Sequence, residues 1–128
     1  MPPGTQVLLT HTPPAGHLDV AWRAGSVGCG ELAACIARVR PRLCVFGHIH
    51  EGHGLEEQQW TRPPDPGQLG AAEATLFVNA ASVDISCRAE HTPIVVDLDR
   101  AEPDTAPNRA PAPPADVNLV AAEVVGVQ

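Results

Sequence analysis

The sequence has 128 residues and a mass of 13.4 kDa, so it holds at most one domain, because folding units mostly span about 50 to 250 residues. Fifteen acidic and eight basic side chains give a net charge of −7, which disfavours binding to nucleic acid. The apolar runs fall well short of the ~20 residues of a membrane span, and no signal peptide is recognisable. We therefore expect a soluble, cytoplasmic protein.

The thiols fit the same compartment. Four cysteines lack C-x-x-C spacing, and this predicts free thiols in a reducing environment: Cys29, Cys35, Cys44 and Cys87.

The first half of the chain predicts a strand, a helix and a second strand. Gln6–His11 is an apolar run that ends at a histidine, and the Pro-rich segment behind it cannot continue a strand or a helix. From Cys29 to Arg40 apolar residues recur at helical spacing, and Pro41 ends the helix. Leu43–Phe46 is a short second strand. This order is the unit of a parallel sheet with a covering helix, so we expect an α/β fold.

The second half is less regular. Residues 54–60 are polar and 62–70 suggest an exposed loop, whereas Thr75–Asn79 and Pro93–Leu98 predict two strands that form a meander behind the first unit. Residues 81–90 carry no clear pattern. Proline-rich sequence after Arg100 predicts a disordered tail. We expect a partial domain over 1–99 and a tail over 100–128.

Three histidines follow the two predicted strands of the first half. His48 and His50 come after the second strand and His11 ends the first, so that they meet at one edge of a parallel sheet, where such sheets place their sites. Imidazole is the commonest protein metal ligand, and Gly47 leaves room for an ion. An H-x-H pair also occurs in ordinary loops. Its position favours three metal ligands.

The remaining histidines are more typical of ordinary hydrogen-bonded side chains. His17 and His53 are close to the predicted site in sequence, so we keep them, with Gly47, as residues near a substrate. His91 has no such connection.

Several blocks of the sequence together resemble a known family. Val7–Gly16, which reads VLLTHTPPAG, and Val45–Gly52, which reads VFGHIHEG, are similar to the last two motif blocks of calcineurin-like metallophosphoesterases. The most similar branch is that of the metallophosphoesterase-domain-containing proteins. Three further stretches resemble it in the same order: Val27–Leu32, Arg38–Leu43 and Phe77–Ser82. The resemblance extends over about Pro3 to Leu98.

The resemblance implies an α/β sandwich of two packed sheets, of which this chain matches the C-terminal half. It also implies two divalent ions at the strand ends, with Mn, Fe, Zn or Mg as candidates. His11 and His48 would bind one ion and His50 the other. The implied reaction is hydrolysis of a small phosphoester, and cyclic nucleotides are among the substrates associated with this branch.

Part of the family pattern is missing. D-x-H, G-D-x-x-D and G-N-H-[DE] supply the bridging carboxylate, an Asn ligand and the acid histidine, and none occurs here. We therefore assign no catalytic residue and expect at most one ion. Four acidic residues could substitute, but no spacing supports them: Asp19, Glu51, Asp84 and Asp97. Without the other half, an open sheet edge favours self-association.

Three hypotheses follow. The first is a metal-dependent phosphoester hydrolase of the phosphodiesterase type, truncated so that activity is not expected of this chain alone. The second is a non-catalytic metal-binding or interaction module with a three-His site at His11, His48 and His50. The third is a structural remnant with a Pro-rich tail that recruits a partner.

Overall fold

The computed structural model describes residues 1–64 and 71–99. The chain divides into two compact units, Met1–Pro93 and Ile94–Gln128, and the second is described only over residues 94–99. The predicted tail, 100–128, lies outside the described residues. In the part that is described, no helix is long and apolar enough to cross a membrane.

The first unit contains a four-stranded sheet. Its strands are β1 (Val7–Leu9), β4 (Leu43–Phe46), β6 (Ala74–Asn79) and β5 (Gly54–Gln59), in that spatial order. The first three run parallel, and β5 is antiparallel to β6. A separate two-stranded hairpin is formed by β2 (Val20–Ala21) and β3 (Gly25–Ser26). The predicted α/β fold with a mostly parallel sheet is confirmed.

The helix α1 (Gly30–Val39) joins β1 to β4. It begins because Cys29 caps it, with the Sγ atom accepting from the Leu32 N–H at 3.4 Å. It ends at Arg40, which adopts a left-handed conformation with a φ of 53°, and Pro41 follows. Strand, helix and strand thus match the prediction closely.

The core lies between α1 and one face of the sheet. Ile36 of the helix packs with Cys44, Phe46 and Phe77, so both phenylalanines of the chain are in this cluster. Burial raises the pKa of the Cys44 thiol to about 12, which makes it an apolar core residue. All four cysteines are free, as predicted.

Strand β5 was not predicted, because its sequence is polar. Leu55 is its one large apolar residue, and the strand becomes exposed toward Gln59. It forms because β6 offers a free edge: the pairing runs from Gly54 opposite Asn79 to Gln59 opposite Ala74. Hydrogen bonds to β6 therefore make this segment a strand, although its side chains have low strand propensity.

The predicted meander is wrong. Strand β6 lies in the same sheet as β1 and β4, and its antiparallel neighbour is β5, which precedes it in the chain. Pro93–Leu98 forms no strand, although its residues alternate between half-buried and exposed. Because β4 and β5 already pair with both edges of β6, no edge of β6 is left for this segment, whatever its strand propensity.

Residues 81–90, which had no clear pattern, form a tight turn. Val83 and Ala89 make an antiparallel bridge, and Asp84 organises the turn between them. Its Oδ1 atom accepts from the N–H groups of Ser86 and Arg88, both at 2.8 Å, and its Oδ2 atom binds the Arg88 guanidinium at 2.9 and 3.1 Å.

The β2–β3 hairpin depends on a buried carboxylate. Asp19 is 2% exposed and accepts hydrogen bonds from the Ser26 hydroxyl and, at 3.0 Å, from the Gly28 N–H. Burial raises the pKa of this carboxyl, but the hydrogen bonds from Ser26 and from the N–H groups of Gly16 and Gly28 outweigh burial. The pKa therefore lies below its usual value of 3.8.

Replacing this carboxylate should cost stability in a pH-dependent way. At pH 7 we expect Asp19→Asn to lower the free energy of unfolding by about 1.5–3 kcal/mol, because the N–H and O–H donors lose a charged acceptor. A depressed folded-state pKa stabilises the protein above about pH 3.8, and this contribution disappears as the pH falls through the folded-state value. Urea unfolding of both proteins between pH 7 and pH 3 measures the difference. A difference that stays constant over this range would contradict the assignment.

Candidate metal centre

The carboxyl ends of β1, β4 and β6 lie along one edge of the sheet, and backbone hydrogen bonds continue beyond them. The Gly47 N–H donates to the His11 carbonyl oxygen at 3.1 Å, and the Ala80 N–H donates to that of Phe46 at 2.7 Å. The segments that follow the three strands are thereby held beside one another.

This edge brings two of the predicted ligands together. The rings of His11 and His48 lie 4.9 Å apart between centroids, and their planes are tilted by 49°. Both residues are exposed to solvent. The sequence predicts that His11, His48 and His50 meet at this edge, and the first two lie side by side there.

His48 has a strained backbone. Its φ is 69°, and the Ile49 N–H donates to the Gly47 carbonyl oxygen at 2.8 Å, so His48 is the central residue of a γ-turn with positive φ. A left-handed conformation costs a non-glycine residue roughly 1–2 kcal/mol. The positive φ therefore occurs at the histidine and not at Gly47. A Cβ added at Gly47 would lie 3.7 Å from the Ala81 nitrogen, which is an ordinary van der Waals contact.

His50 is oriented by a backbone carbonyl. Its Nδ1 atom lies 2.8 Å from the Asp84 carbonyl oxygen. Because a carbonyl only accepts, Nδ1 carries a proton, and Nε2 is the ring nitrogen that could bind a metal, as in a typical metal-binding histidine. Within residues 1–64 and 71–99, however, no group of three or more His, Cys, Asp or Glu side chains is close enough to hold an ion. The His50 ring is therefore not assembled with the His11–His48 pair.

The two histidines predicted near a substrate are engaged elsewhere. The His17 ring stacks on Phe77 at 3.8 Å, and its Nδ1 atom lies 2.5 Å from the Glu56 carboxylate. The His53 ring stacks on His91 at 4.3 Å, and its Nε2 atom bonds to the Thr92 carbonyl oxygen. Both arrangements tie loops to the sheet or to each other.

Asn79, at the end of β6, was missed by the sequence interpretation. Its side chain is fully buried, and its Nδ2 atom donates to the Ile49 carbonyl oxygen at 2.8 Å and to that of Leu18 at 3.3 Å. Its Oδ1 atom accepts from the Ala81 N–H. One amide thus joins three loops. The available signal was a polar residue that closes the apolar run of β6.

Close packing of these loops explains a nearby glycine. A Cβ on Gly52 would lie 2.2 Å from the Leu18 carbonyl oxygen and 2.8 Å from Asn79 Nδ2. Only glycine fits this approach.

Three of the four acidic residues named as substitutes, Asp19, Glu51 and Asp84, have other partners. Asp19 holds the hairpin, and Asp84 binds Arg88. The Glu51 carboxylate accepts from the Trp22 N–H at 2.8 Å; this bond, the Glu51 N–H and the nearby His50 together lower the pKa of the carboxyl. Among the described residues, no carboxylate joins the His11–His48 pair in a group that could hold an ion.

Comparisons with known proteins agree with the resemblance. No model of a protein family matches the chain. It is 40% identical over 100 residues to metallophosphoesterase domain-containing protein 1 of Homo sapiens, which covers 77% of this chain and 26% of that protein. Two proteins of Caenorhabditis elegans also match. UPF0046 protein T07D4.2 is 35% identical over 99 residues, and UPF0046 protein C25E10.12 is 37% identical over 103 residues.

Both worm matches cover 77% of this chain. The chain spans 22% to 32% of the length of these three relatives, so it corresponds to a part of each. The chain therefore belongs to the branch of metallophosphoesterase domain-containing proteins and corresponds to one part of such a protein.

Proposed function

We propose that this chain supplies the histidine side of a metal-dependent phosphoester hydrolase of the phosphodiesterase type. The observation that carries the proposal is the His11–His48 pair, 4.9 Å apart at the carboxyl ends of parallel strands. The name of one relative of the chain, metallophosphoesterase domain-containing protein 1 of Homo sapiens, supports the same reaction. The substrate would be a small phosphoester, with cyclic nucleotides as candidates.

The chain supplies histidine ligands and the contacts that orient them. His11 and His48 would bind a divalent ion, with Mn, Fe, Zn or Mg as candidates. His50 keeps its Nε2 atom available because its Nδ1 atom is bonded to the Asp84 carbonyl oxygen. Asn79 fixes the loop that carries His48 and His50. A bound ion would polarise the phosphoryl group and lower the pKa of a water molecule.

The carboxylate ligands would come from another polypeptide segment. The relatives are about three to five times longer than the region they share with this chain, so they have room for such a segment. Strand β1 is an edge strand of the sheet, with Val7 44% and Leu9 73% exposed. This apolar edge suits either an added segment or a second copy of the chain.

A non-catalytic role is the second candidate. Asp19, Glu51 and Asp84 each have a partner of their own, which favours a module that binds one ion through histidines and does not hydrolyse esters. Such a three-His site would need the His50 ring to join the His11–His48 pair.

Metal titration tests the ligand pair. We expect the chain to bind about one equivalent of Zn²⁺, and His11→Ala or His48→Ala to weaken binding at least about tenfold, because each removes an imidazole donor. Calorimetry gives the affinity. His91→Gln is the matched control, since it removes an imidazole outside the pair. Equal affinity in all four proteins would contradict the assignment.

The strain at His48 predicts a stability effect. His48→Gly should be more stable than His48→Ala by about 1 kcal/mol, because only glycine adopts a positive φ without cost. Both variants lose the imidazole, so the comparison isolates the backbone. Urea unfolding measures it, and an alanine variant as stable as the glycine variant would show that the γ-turn is not strained.

Hydrolysis separates the two candidate functions. We expect the full translated product of the gene to cleave bis(4-nitrophenyl) phosphate in the presence of Mn²⁺, and His50→Ala to reduce the rate at least about 100-fold. Nitrophenolate absorbance measures the rate, and excess EDTA is the control. Cleavage that persists in EDTA would exclude a metal-dependent hydrolase. Metal binding without any cleavage would favour the non-catalytic module.

A further inference from the structure

The β2–β3 hairpin is fixed beside the loop after β4 that carries His48 and His50, which we call the histidine loop. It belongs to the connection that follows the carboxyl end of β1, the same edge of the sheet that carries His11 and His48. The Glu51 carboxylate, next to His50, accepts from the Trp22 N–H at 2.8 Å. The base of the hairpin is held by Asp19, whose carbonyl oxygen accepts from the Val27 N–H. The hairpin is therefore held in place beside the loop that carries His48 and His50.

This tip exposes a large aromatic side chain. Trp22 is 70% exposed although the backbone around it is anchored. The Arg23 guanidinium carbon lies 4.8 Å from the centroid of the Trp22 ring, a cation–π contact. Val20 on the same hairpin is 62% exposed. Trp22 and Val20 therefore present apolar side chains to solvent on an anchored hairpin.

We propose that Trp22 and Arg23 form a subsite for the planar aromatic group of a phosphoester substrate, either a nucleobase or a simple aryl group. This inference rests on the proposed function. The exposed indole can stack on a planar ring, a contact worth about 1–3 kcal/mol per nucleobase. Arg23 supplies positive charge beside it, and a chain with a net charge of −7 needs such charge to attract an anion.

The chain's second tryptophan provides an internal control. Trp60 directly follows β5, and its Nε1–H group is already bonded to the Thr75 hydroxyl at 2.9 Å. The two indole N–H groups give separate signals in a ¹H–¹⁵N NMR spectrum, so a ligand at Trp22 moves one signal and not the other.

The experiment titrates the chain, in EDTA, with adenosine 5′-monophosphate, 4-nitrophenyl phosphate and ribose 5-phosphate. We expect the Trp22 signal to shift to saturation with the aromatic esters, whereas the Trp60 signal stays in place. A response to the nucleotide alone assigns the subsite to nucleobases, and a response to both esters assigns it to aryl groups in general. A shift that does not saturate, or an equal shift with ribose 5-phosphate, overturns the proposal. An unchanged signal also overturns it, and would leave the hairpin as a surface for another protein.

Variants test the two residues separately. Saturation transfer to the adenine protons should show that Trp22→Ala weakens nucleotide binding about tenfold or more, and that Trp22→Phe, which keeps a stacking face, weakens it less than about threefold. Arg23→Gln should weaken binding of the nucleotide but not of adenosine, which has no phosphate. Equal binding by Trp22→Ala and the parent overturns the proposal. Because no metal is present, failure here is distinct from failure of metal binding at His11 and His48.

Discussion

The side-chain amide of Asn79 is the contact on which the candidate site depends. It is buried at the end of the central strand β6 and donates to carbonyl oxygens of two different loops, at Ile49 and Leu18. The first loop carries His48 and His50, and the second leads into the β2–β3 hairpin. A buried amide in these positions keeps all of its hydrogen bonds only if both loops stay in place. One side chain of the sheet therefore fixes the loop that carries His48 and His50 relative to the segment that leads into the hairpin.

The histidine loop combines strain with orientation. His48 occupies a γ-turn with positive φ, and strain of this kind persists only when the surrounding contacts hold it. His50 is oriented by the carbonyl of Asp84, which belongs to the turn after β6. The acidic side chains nearby serve other contacts, and among the described residues they leave the pair of imidazoles without a carboxylate.

Much of the fold was readable because local and tertiary preferences agree. The run Val7–Leu9, the helix before Pro41 and the run Leu43–Phe46 are apolar at the spacing that each element needs, and each is bounded by a residue that ends it. Strand β5 was missed and Pro93–Leu98 was assigned wrongly for one reason. Strand formation depends on a neighbour with free N–H and C=O groups, and the free edge of β6 is paired with the polar segment Gly54–Gln59.

The sequence by itself determined the motif blocks, the family that they resemble, the βαβ unit and the position of His11 and His48 after neighbouring strands. These follow from residue type and spacing within short segments. The tertiary structure alone decided that the His11 and His48 rings meet, that His50 is bound by Asp84, and that Asn79 joins the loops. Each of these contacts joins residues that are about 30 or more positions apart, and their distance depends on how the strands are ordered and packed.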